Sequence, residues 1–224
     1  MRLALGQKTV KSTFRRRYDA SGRQASARRT RRRVLAAAHH LFVKRGYAQT
    51  TMVAIAKRAG VSIETVYESV GGKAQLVRYL VETALSGTDE PVPPEQRRGI
   101  AEIHAEPSAR RKLVLFAGVV RPMLQRLAPI WQVVAEAAPH DADLRAMLLQ
   151  LRGRHVSSMR MVIEHIATAG QLRSNISIDT ARDVLWAMNS PEFYWLLAVG
   201  RDWSGEQLEE WLADAWQRLL LEDE

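Results

Sequence analysis

The stretch from Ala59 to Lys73, AGVSIETVYESVGGK, constrains the fold more than any other part of the sequence. Gly60 ends a segment with helical spacing, and Ser62 then offers an N-cap to a short helix that Gly71 and Gly72 interrupt. Two short helices joined by so tight a bend pack at a steep angle, and this leaves one side of the second helix exposed. The segment therefore predicts a helix-turn-helix.

Apolar residues around this segment recur with the period of a helix. The spacing predicts a first helix from Arg28 to Gly46, a second capped by Thr50 or Thr51, a third capped by Ser62 and a fourth from Lys73 to Leu85. The residues expected to face inward are Val34, Leu35, Ala38, Leu41 and Phe42, then Met52, Ile55, Ala56 and Ala59, then Val61, Val66 and Val70, and finally Leu76, Leu80 and Ala84.

The segment from Ser86 to Gln96, SGTDEPVPPEQ, is rich in proline and acidic residues and is typical of a boundary loop. Beyond it no stretch alternates as a strand would, so the fold class is all-α. Further helices are predicted over Ser108–Gln125, Pro129–Ala138, Asp141–Ala169, Asp179–Met188, Pro191–Gly200 and Ser204–Leu221. The division is an arm over 1–27, a helix-turn-helix domain with its connecting helix over 28–85, and a second helical domain over 95–224.

Positive charge is concentrated at the beginning of the chain. Residues 1–33 contain twelve lysines or arginines and one acid, Asp19, which gives +11, whereas the rest of the chain sums to −2. A flexible cationic arm suits a polyanion, because each phosphate that it neutralises releases counterions. A solvated tail with no partner is the alternative interpretation.

Several classes of protein are disfavoured by composition. The chain has no cysteine, and it shows no His-Glu-x-x-His, Gly-x-Ser-x-Gly, phosphate-loop or dinucleotide motif, so we expect neither an enzyme nor a bound metal or cofactor. No uncharged apolar run reaches the roughly 18 residues of a membrane span, and no secretory signal is evident. We therefore expect a cytoplasmic protein that does not bind a membrane.

Residues 31–81 resemble the N-terminal DNA-binding domain of the TetR family of bacterial transcriptional regulators. The matching positions are the Val-Leu, Ala-Ala and Leu-Phe pairs of the first helix, Gly46-Tyr47, Thr50-Thr51, Ile55-Ala56, Ala59-Gly60-Val61-Ser62, Thr65, Tyr67, Lys73 and Leu76. The resemblance implies a DNA-binding unit of the first three helices, called here the reading head, then a connecting fourth helix, and a second domain for ligand binding and dimerisation.

The resemblance also implies which residues contact double-stranded DNA. Phosphate contacts would come from Thr50 or Thr51, Thr65, Tyr67 and Lys73, which are suitable anion donors. Base contacts would come from Ser62, Ile63, Glu64 and Glu68, although Ser62 also serves as a cap. One of the two glutamates is predicted to accept a hydrogen bond from a cytosine amino group, and solvated surface acids are the alternative.

The second domain is expected to hold an unknown, largely apolar effector. The candidate pocket residues are Phe116, Val120, Met123, Trp131, Leu151, His155, Met159 and Trp186. His155 interrupts an apolar helical stripe, and it is either a satisfied core histidine or a ligand donor. The last two helices are expected to form a four-helix bundle with a second copy, and the candidate interface residues are Phe193, Leu196, Leu208, Trp211, Leu212, Ala215 and Leu219.

The function implied is a homodimeric repressor that releases a palindromic operator when ligand enters the second domain and tilts the fourth helix. Two alternatives remain open at this stage. A ligand-independent protein could organise DNA through sequence-blind contacts of the arm. A helical enzyme is the more remote alternative.

Overall fold

The computed structural model describes residues 13–93 and 96–222, with side chains described from Gly22 onward. In these ranges the chain is helical, and an isolated antiparallel bridge joins Leu172 to Leu221. The all-α prediction is confirmed. The helices are α1 (Thr13–Gln49), α2 (Met52–Ala59), α3 (Ile63–Val70), α4 (Lys73–Ser86), α5 (Ile100–Ala105), α6 (Ala109–Ala137), α7 (Ala142–Thr168), α8 (Ile178–Met188), α9 (Pro191–Tyr194) and α10 (Gly205–Leu220).

Helix α1 is longer than the apolar pattern predicted. It begins at Thr13 rather than Arg28, so it includes much of the segment expected to be an arm. The extension lacks an apolar face, and residues 1–12 lie outside the described residues. At the other end the backbone leaves the helical region at Gly46 (φ 76°, ψ 171°), where the sequence predicted the stop, and one further turn leads to Gln49.

The two short helices of the bend have the predicted ends. Thr51 accepts a hydrogen bond from Ala54 N–H at the start of α2, and Gly60 ends that helix in the left-handed conformation with φ 64°. Ser62 accepts from Thr65 N–H at the start of α3. The predicted inner residues of α2 and the pair Val66 and Val70 of α3 are buried.

Helix α6 corrects the prediction of two helices separated near Gln125. The structure has one helix from Ala109 to Ala137 that passes through Pro122 and Pro129. Each proline removes one backbone hydrogen bond, which normally disfavours a helix interior. Burial of large side chains such as Leu124, Leu127, Ile130 and Trp131 around the prolines offsets that loss.

The C-terminal helices α7, α9 and α10 begin close to the predicted positions. Asp141, Ser190 and Ser204 each accept a backbone hydrogen bond at the start of α7, α9 and α10. The helix predicted over Pro191–Gly200 is correct in extent but not in type, because α9 continues as a π-helical segment over Trp195–Val199. That segment ends where Gly200 N–H donates to Trp195 O at 3.0 Å.

Buried side chains form two cores, and α6 and α7 contribute to both. The first core contains the inner faces of α1 to α4 together with residues Leu127 to Ala138 of the α6 end and Leu144 to Leu151 of α7. The second contains α5, the first half of α6, the second half of α7, α8 and α10. The helix-turn-helix domain of α1 to α4 is therefore packed on the rest of the protein through shared apolar residues.

By length and composition, α6 is the helix in the described ranges that could cross a membrane. In this structure it is instead the central helix, and it packs against α1, α4, α7 and α10. Its buried side chains belong to the two cores.

Candidate DNA-binding surface

Helix α3 exposes one side and buries the other. Val66 and Val70 point into the first core, while Glu64 and Glu68 are exposed and Tyr67 retains 50% of its accessible surface. Ile63, predicted to contact bases, and Thr65, predicted to contact a phosphate, are half-buried. A short helix with a polar outer side is suited to entering the major groove of DNA.

The adjacent threonines before α2 have different surroundings. Thr50 is fully buried, and its hydroxyl donates to Gly46 O at 2.8 Å and lies 3.1 Å from Leu41 O. Thr51 is exposed, and its hydroxyl oxygen caps α2 while its hydroxyl hydrogen remains available to an acceptor. The prediction that Thr50 could contact phosphate is thus corrected, because its hydroxyl is committed to the end of α1.

The start of α3 is organised by local hydrogen bonds. Ser62 Oγ accepts from Thr65 N–H at 3.2 Å and lies 3.1 Å from Thr65 Oγ1. Hydrogen bonds from its own backbone N–H and from Ser62 lower the pKa of Glu64. An ionised carboxylate can only accept hydrogen bonds, so Glu64 presents an acceptor beside the positive end of the helix.

Lys73 lies at the junction between α4, α1 and the loop before α7. Its Nζ sits 4.1 Å from the centre of the Tyr47 ring. Partial burial lowers the pKa of Lys73, and the carboxylate of Asp141 opposes that effect. Burial, together with the charge of Asp141 and a hydrogen bond to it, raises the pKa of Tyr47 to about 12. Sequence reasoning did not associate Tyr47 or Asp141 with the DNA-binding surface, because their proximity to Lys73 depends on the tertiary fold.

Two arginines, predicted only as part of the positively charged segment 1–33, form hydrogen bonds to the backbone of the helix-turn-helix. Arg33 Nη2 donates to Ala59 O at 2.6 Å and to Gly60 O at 2.9 Å. Arg31 Nε donates to Ser69 O at 3.2 Å near the end of α3. Their position directly before the first buried residue of α1, Val34, is the sequence signal that could have identified them.

Two side chains of the connecting helix α4, Arg78 and Glu82, contact α7 of the second domain. Arg78 Nη1 donates to Gln150 Oε1 at 2.9 Å, and Arg154 pairs with Glu82. At the N-terminal end of α4, a cleft of about 580 Å³ separates Lys73 and its neighbours from the first turn of α7. Polar contacts and an open space thus lie on the same face of α4.

The candidate pocket residues do not line a single site. Trp131 and Leu151 pack in the first core, whereas Phe116, Val120 and Met159 are buried in the second with Met123 and Trp186 at its edge. Including Trp131 and Leu151 in one pocket was wrong, because the ends of α6 and α7 pack on the reading head. His155 and Trp186 do come together, with ring centres 6.1 Å apart.

A polar group between α7 and α8 contains His155, Trp186 and Asn189. Within the described residues, His155 Nε2, Trp186 Nε1 and Asn189 Oδ1 are buried without a hydrogen-bond partner. Asn189, which sequence reasoning missed, is 2% exposed, and its Nδ2 has a contact with Met159 Sδ at 3.3 Å. Burial lowers the pKa of His155 to about 4, so this imidazole is neutral near pH 7.

The candidate dimer residues of α10 divide between two faces. Leu208 and Leu212 are fully buried in the second core of their own protomer, which corrects their assignment to the interface. The outer stripe is Trp211, Ala215 and Leu219, of which Trp211 is 39% and Leu219 45% exposed. The candidate residues of α10 thus belong to two stripes, one inner and one outer, that lie side by side on the helix.

The exposed aromatic group extends from α10 to the π-helical segment. Phe193 stacks on Trp211 with ring centres 5.9 Å apart, and Trp203 meets Trp211 edge-on at 5.7 Å. Leu196 is 66% exposed beside them. These residues form an apolar surface of the kind found at protein interfaces.

The fold and the α2–α3 surface together define a DNA-binding regulator of the helix-turn-helix class. Residues 34–80 match the family model described as bacterial regulatory proteins, tetR family. Residues 34–80 are thus a DNA-binding domain of the TetR family, and the chain is a transcriptional regulator that binds DNA.

Relatives and solved structures agree with this assignment. The chain is 23% identical over 158 residues to the transcriptional regulator SrpR of Pseudomonas putida, and the match covers 70% of each chain. The fold is similar to that of NalD, the secondary repressor of a multidrug efflux pump in Pseudomonas aeruginosa (TM-score 0.67, 20% identity, 87% of this chain and 98% of NalD). It is also similar to that of a Saccharomonospora viridis transcriptional regulator in complex with choline (TM-score 0.65, 22% identity, 86% of this chain and 98% of the other).

Proposed function

We propose that the protein is a homodimeric repressor that acts in the cytoplasm and releases its operator when a small molecule enters the second domain. The observation that carries this proposal is the position of α4. It begins at Lys73 beside the reading head, and its side chains bond to α7 of the second domain at Gln150 and Arg154. A displacement of α7 would therefore move the helix that carries a phosphate donor.

Operator contacts are proposed for the exposed hydroxyls and the cation around α3. Thr51, Thr65, Tyr67 and Lys73 would hold phosphates, and their hydroxyl, phenol and ammonium groups are suitable donors. Glu64, with Ile63, Ser62 and Glu68, would face the base edges. The ionised carboxylate of Glu64 is a suitable acceptor for a cytosine amino group.

The outer surface of α10 and the π-helical segment is proposed as the dimer interface. Phe193, Leu196, Trp211, Ala215 and Leu219 supply apolar and aromatic groups that a second copy would bury. Dimerisation would place two α3 helices about 34 Å apart, which is one turn of DNA, and the operator would then be a palindrome.

The effector is proposed to be a largely apolar molecule with at least one neutral hydrogen-bonding group. His155, Trp186 and Asn189 offer unpartnered polar atoms beside the second core. Leaving such atoms unpaired costs about 1–3 kcal/mol each, so a molecule that satisfies them would be favoured. The structures of a repressor of a drug efflux pump and of a choline-bound regulator support a ligand-responsive role for this fold.

Selection of bound duplexes from a random DNA pool by the full-length protein tests the DNA-reading part of the proposal. We expect enrichment of a palindrome with half-sites one turn apart, and Glu64→Ala should lose preference at a cytosine position. A pool without an enriched motif would contradict sequence-specific reading and favour sequence-blind binding through the basic part of α1.

The dimer interface is tested with two leucines of similar exposure. Leu196, at 66% exposure, lies in the proposed interface, and Leu149, at 64%, lies on α7 away from it. We expect Leu196→Arg to yield a monomer in analytical ultracentrifugation and Leu149→Arg to remain dimeric. The opposite result would place the interface on α7.

A further inference from the structure

A cleft of about 230 Å³ lies between the N-terminal part of α1 and the loop after α4. It is lined by Arg28, Arg31, Arg32, Asp89 and Glu90. Arg32 pairs with Asp89, and Arg28 Nε lies 3.6 Å from Glu90 Oε1. Two carboxylates of the chain itself therefore occupy a site built from guanidinium groups.

The three arginines differ in what else holds them. Arg31 is fixed by a hydrogen bond from Nη1 to Tyr79 Oη at 3.2 Å and by its bond to Ser69 O, and its distance to Glu90 is 3.8 Å. Arg28 and Arg32 have side chains that are 65% and 60% exposed. They are four residues apart, so they lie on one face of α1. These two arginines are available to exchange partners, whereas Arg31 anchors the helix.

The loop holds its carboxylates in place through its own hydrogen bonds. Thr88 Oγ1 donates to Glu90 O at 2.6 Å and lies 3.0 Å from Ser86 Oγ. Arg126 of α6 donates from Nε to Ala84 O at 3.1 Å, next to the start of the loop. The acids are thus presented by an ordered turn attached to the end of α4.

This part of α1 runs beside the helix-turn-helix. Arg31 bonds to the end of α3, and Arg33 bonds to the turn between α2 and α3. We therefore expect the phosphate chain of DNA held by α3 to pass near the same stretch of α1. Carboxylate and phosphate are both recognised by the planar fork of an arginine, so one can replace the other.

We propose that Arg28 and Arg32 form an additional phosphate site for duplex DNA, and that Asp89 and Glu90 occupy this site until DNA displaces them. The proposal rests on the DNA binding of the protein and is independent of the effector. An exposed ion pair favours the closed arrangement by no more than a factor of about five. Binding of phosphates to the two arginines is favoured further by counterion release, so DNA can compete with the carboxylates for the site. The acids then weaken sequence-blind binding without preventing it.

The test measures binding of the full-length protein to a labelled duplex of poly(dI-dC) over a series of salt concentrations. The acid variant carries Asp89→Asn and Glu90→Gln. A charge-matched control carries Asp183→Asn and Asp214→Asn, two exposed acids that pair with arginines of α8 and α10. A third protein combines the acid variant with Arg28→Gln and Arg32→Gln. Melting temperatures confirm that all remain folded.

The acid variant is expected to bind up to about fivefold more tightly for each ion pair released. Its plot of log affinity against log salt should keep nearly the wild-type slope, because both proteins neutralise the same phosphates once DNA has displaced the acids. The protein that also lacks Arg28 and Arg32 should lose up to about 1.8 of that slope, at ~0.9 for each phosphate contact. The charge-matched control should behave as wild type, and the increase in affinity should vanish when both arginines are replaced.

Unchanged or weaker binding by the acid variant would overturn the proposal. An increase in affinity that persists without the two arginines would also overturn it, since that result indicates general charge repulsion. If wild-type protein failed to bind the duplex even at low salt, the DNA-binding function itself would be contradicted. The two kinds of failure are therefore distinguishable.

Discussion

Replacing Thr50 and Thr51 one at a time by valine should separate a structural hydroxyl from a DNA-binding one. Thr50 is fully buried, and its hydroxyl donates to the end of α1 at Gly46 O. Thr51 is exposed and caps α2. Valine keeps the shape of threonine, so neither change leaves a cavity, and the measured effect reports the hydroxyl alone.

The magnitudes follow from those surroundings. Thr50→Val removes a hydrogen bond and leaves the carbonyl oxygens of Gly46 and Leu41 without this donor, so the free energy of unfolding should fall by about 1–3 kcal/mol. Thr51→Val removes an N-cap, which costs about 1 kcal/mol. It would also remove the proposed hydrogen bond to a charged phosphate, which is worth about 1.5–3 kcal/mol, or roughly tenfold or more in DNA affinity.

Urea unfolding at fixed protein concentration gives the free energy of unfolding, and a titration of labelled duplex gives the DNA affinity. The titration is made at a temperature where both variants are folded. We expect Thr50→Val to bind DNA as wild type does and Thr51→Val to bind more weakly. Weaker DNA binding by folded Thr50→Val, or full affinity in Thr51→Val, would refute this division of roles.

Three further predictions concern the backbone, the pH dependence of stability and the charge of Lys73. Gly60→Ala should destabilise the protein by about 1–2 kcal/mol in urea unfolding, because Gly60 has φ 64° and a Cβ there would meet Arg33 Nη2 at 2.8 Å. The control Gly153→Ala, which places its Cβ in open space within α7, should instead stabilise the protein by about 1 kcal/mol. His155 has a pKa of about 4 when folded and 6.5 when unfolded, so the unfolded state takes up the proton first as pH falls. The resulting loss of up to about 3 kcal/mol between pH 6.5 and 4 should be missing in His155→Phe, as judged by urea midpoints of both proteins at pH 7 and 4.5. Lys73→Gln should reduce the salt dependence of DNA binding by ~0.9 in slope, and an unchanged slope would show that Lys73 does not reach a phosphate.

Local chemistry made the reading head predictable from the sequence. The hydroxyl caps at Thr51 and Ser62 and the left-handed Gly60 act within a few residues, so their effects can be inferred without a tertiary structure. The extension of α1 could not be inferred, because its residues before Arg28 have no apolar face. The continuous α6 was missed because local rules favour a proline such as Pro129 at the start of a helix, and this predicted a break after Gln125.

The second domain shows where sequence patterns stop being sufficient. Apolar spacing on α10 identified Trp211 and Leu212 equally, but only packing shows that Leu212 is buried and Trp211 is exposed. The π-helical turn after Tyr194 has no signal in the sequence that we recognise. Asn189 was missed because an asparagine at a helix end is usually just a cap.

Because α6 and α7 contribute to both cores, the reading head is not a portable module. A fragment ending in the loop before Gln96 would lack Leu127, Ile130, Trp131, Leu144 and Met147, all of which complete the packing around α1 and α4. Such a fragment would expose apolar surface and be prone to aggregate. A chimeric regulator made by exchanging effector domains would have to include the end of α6 and the start of α7 together with α1 to α4. Otherwise the apolar interface between these elements would have to be redesigned.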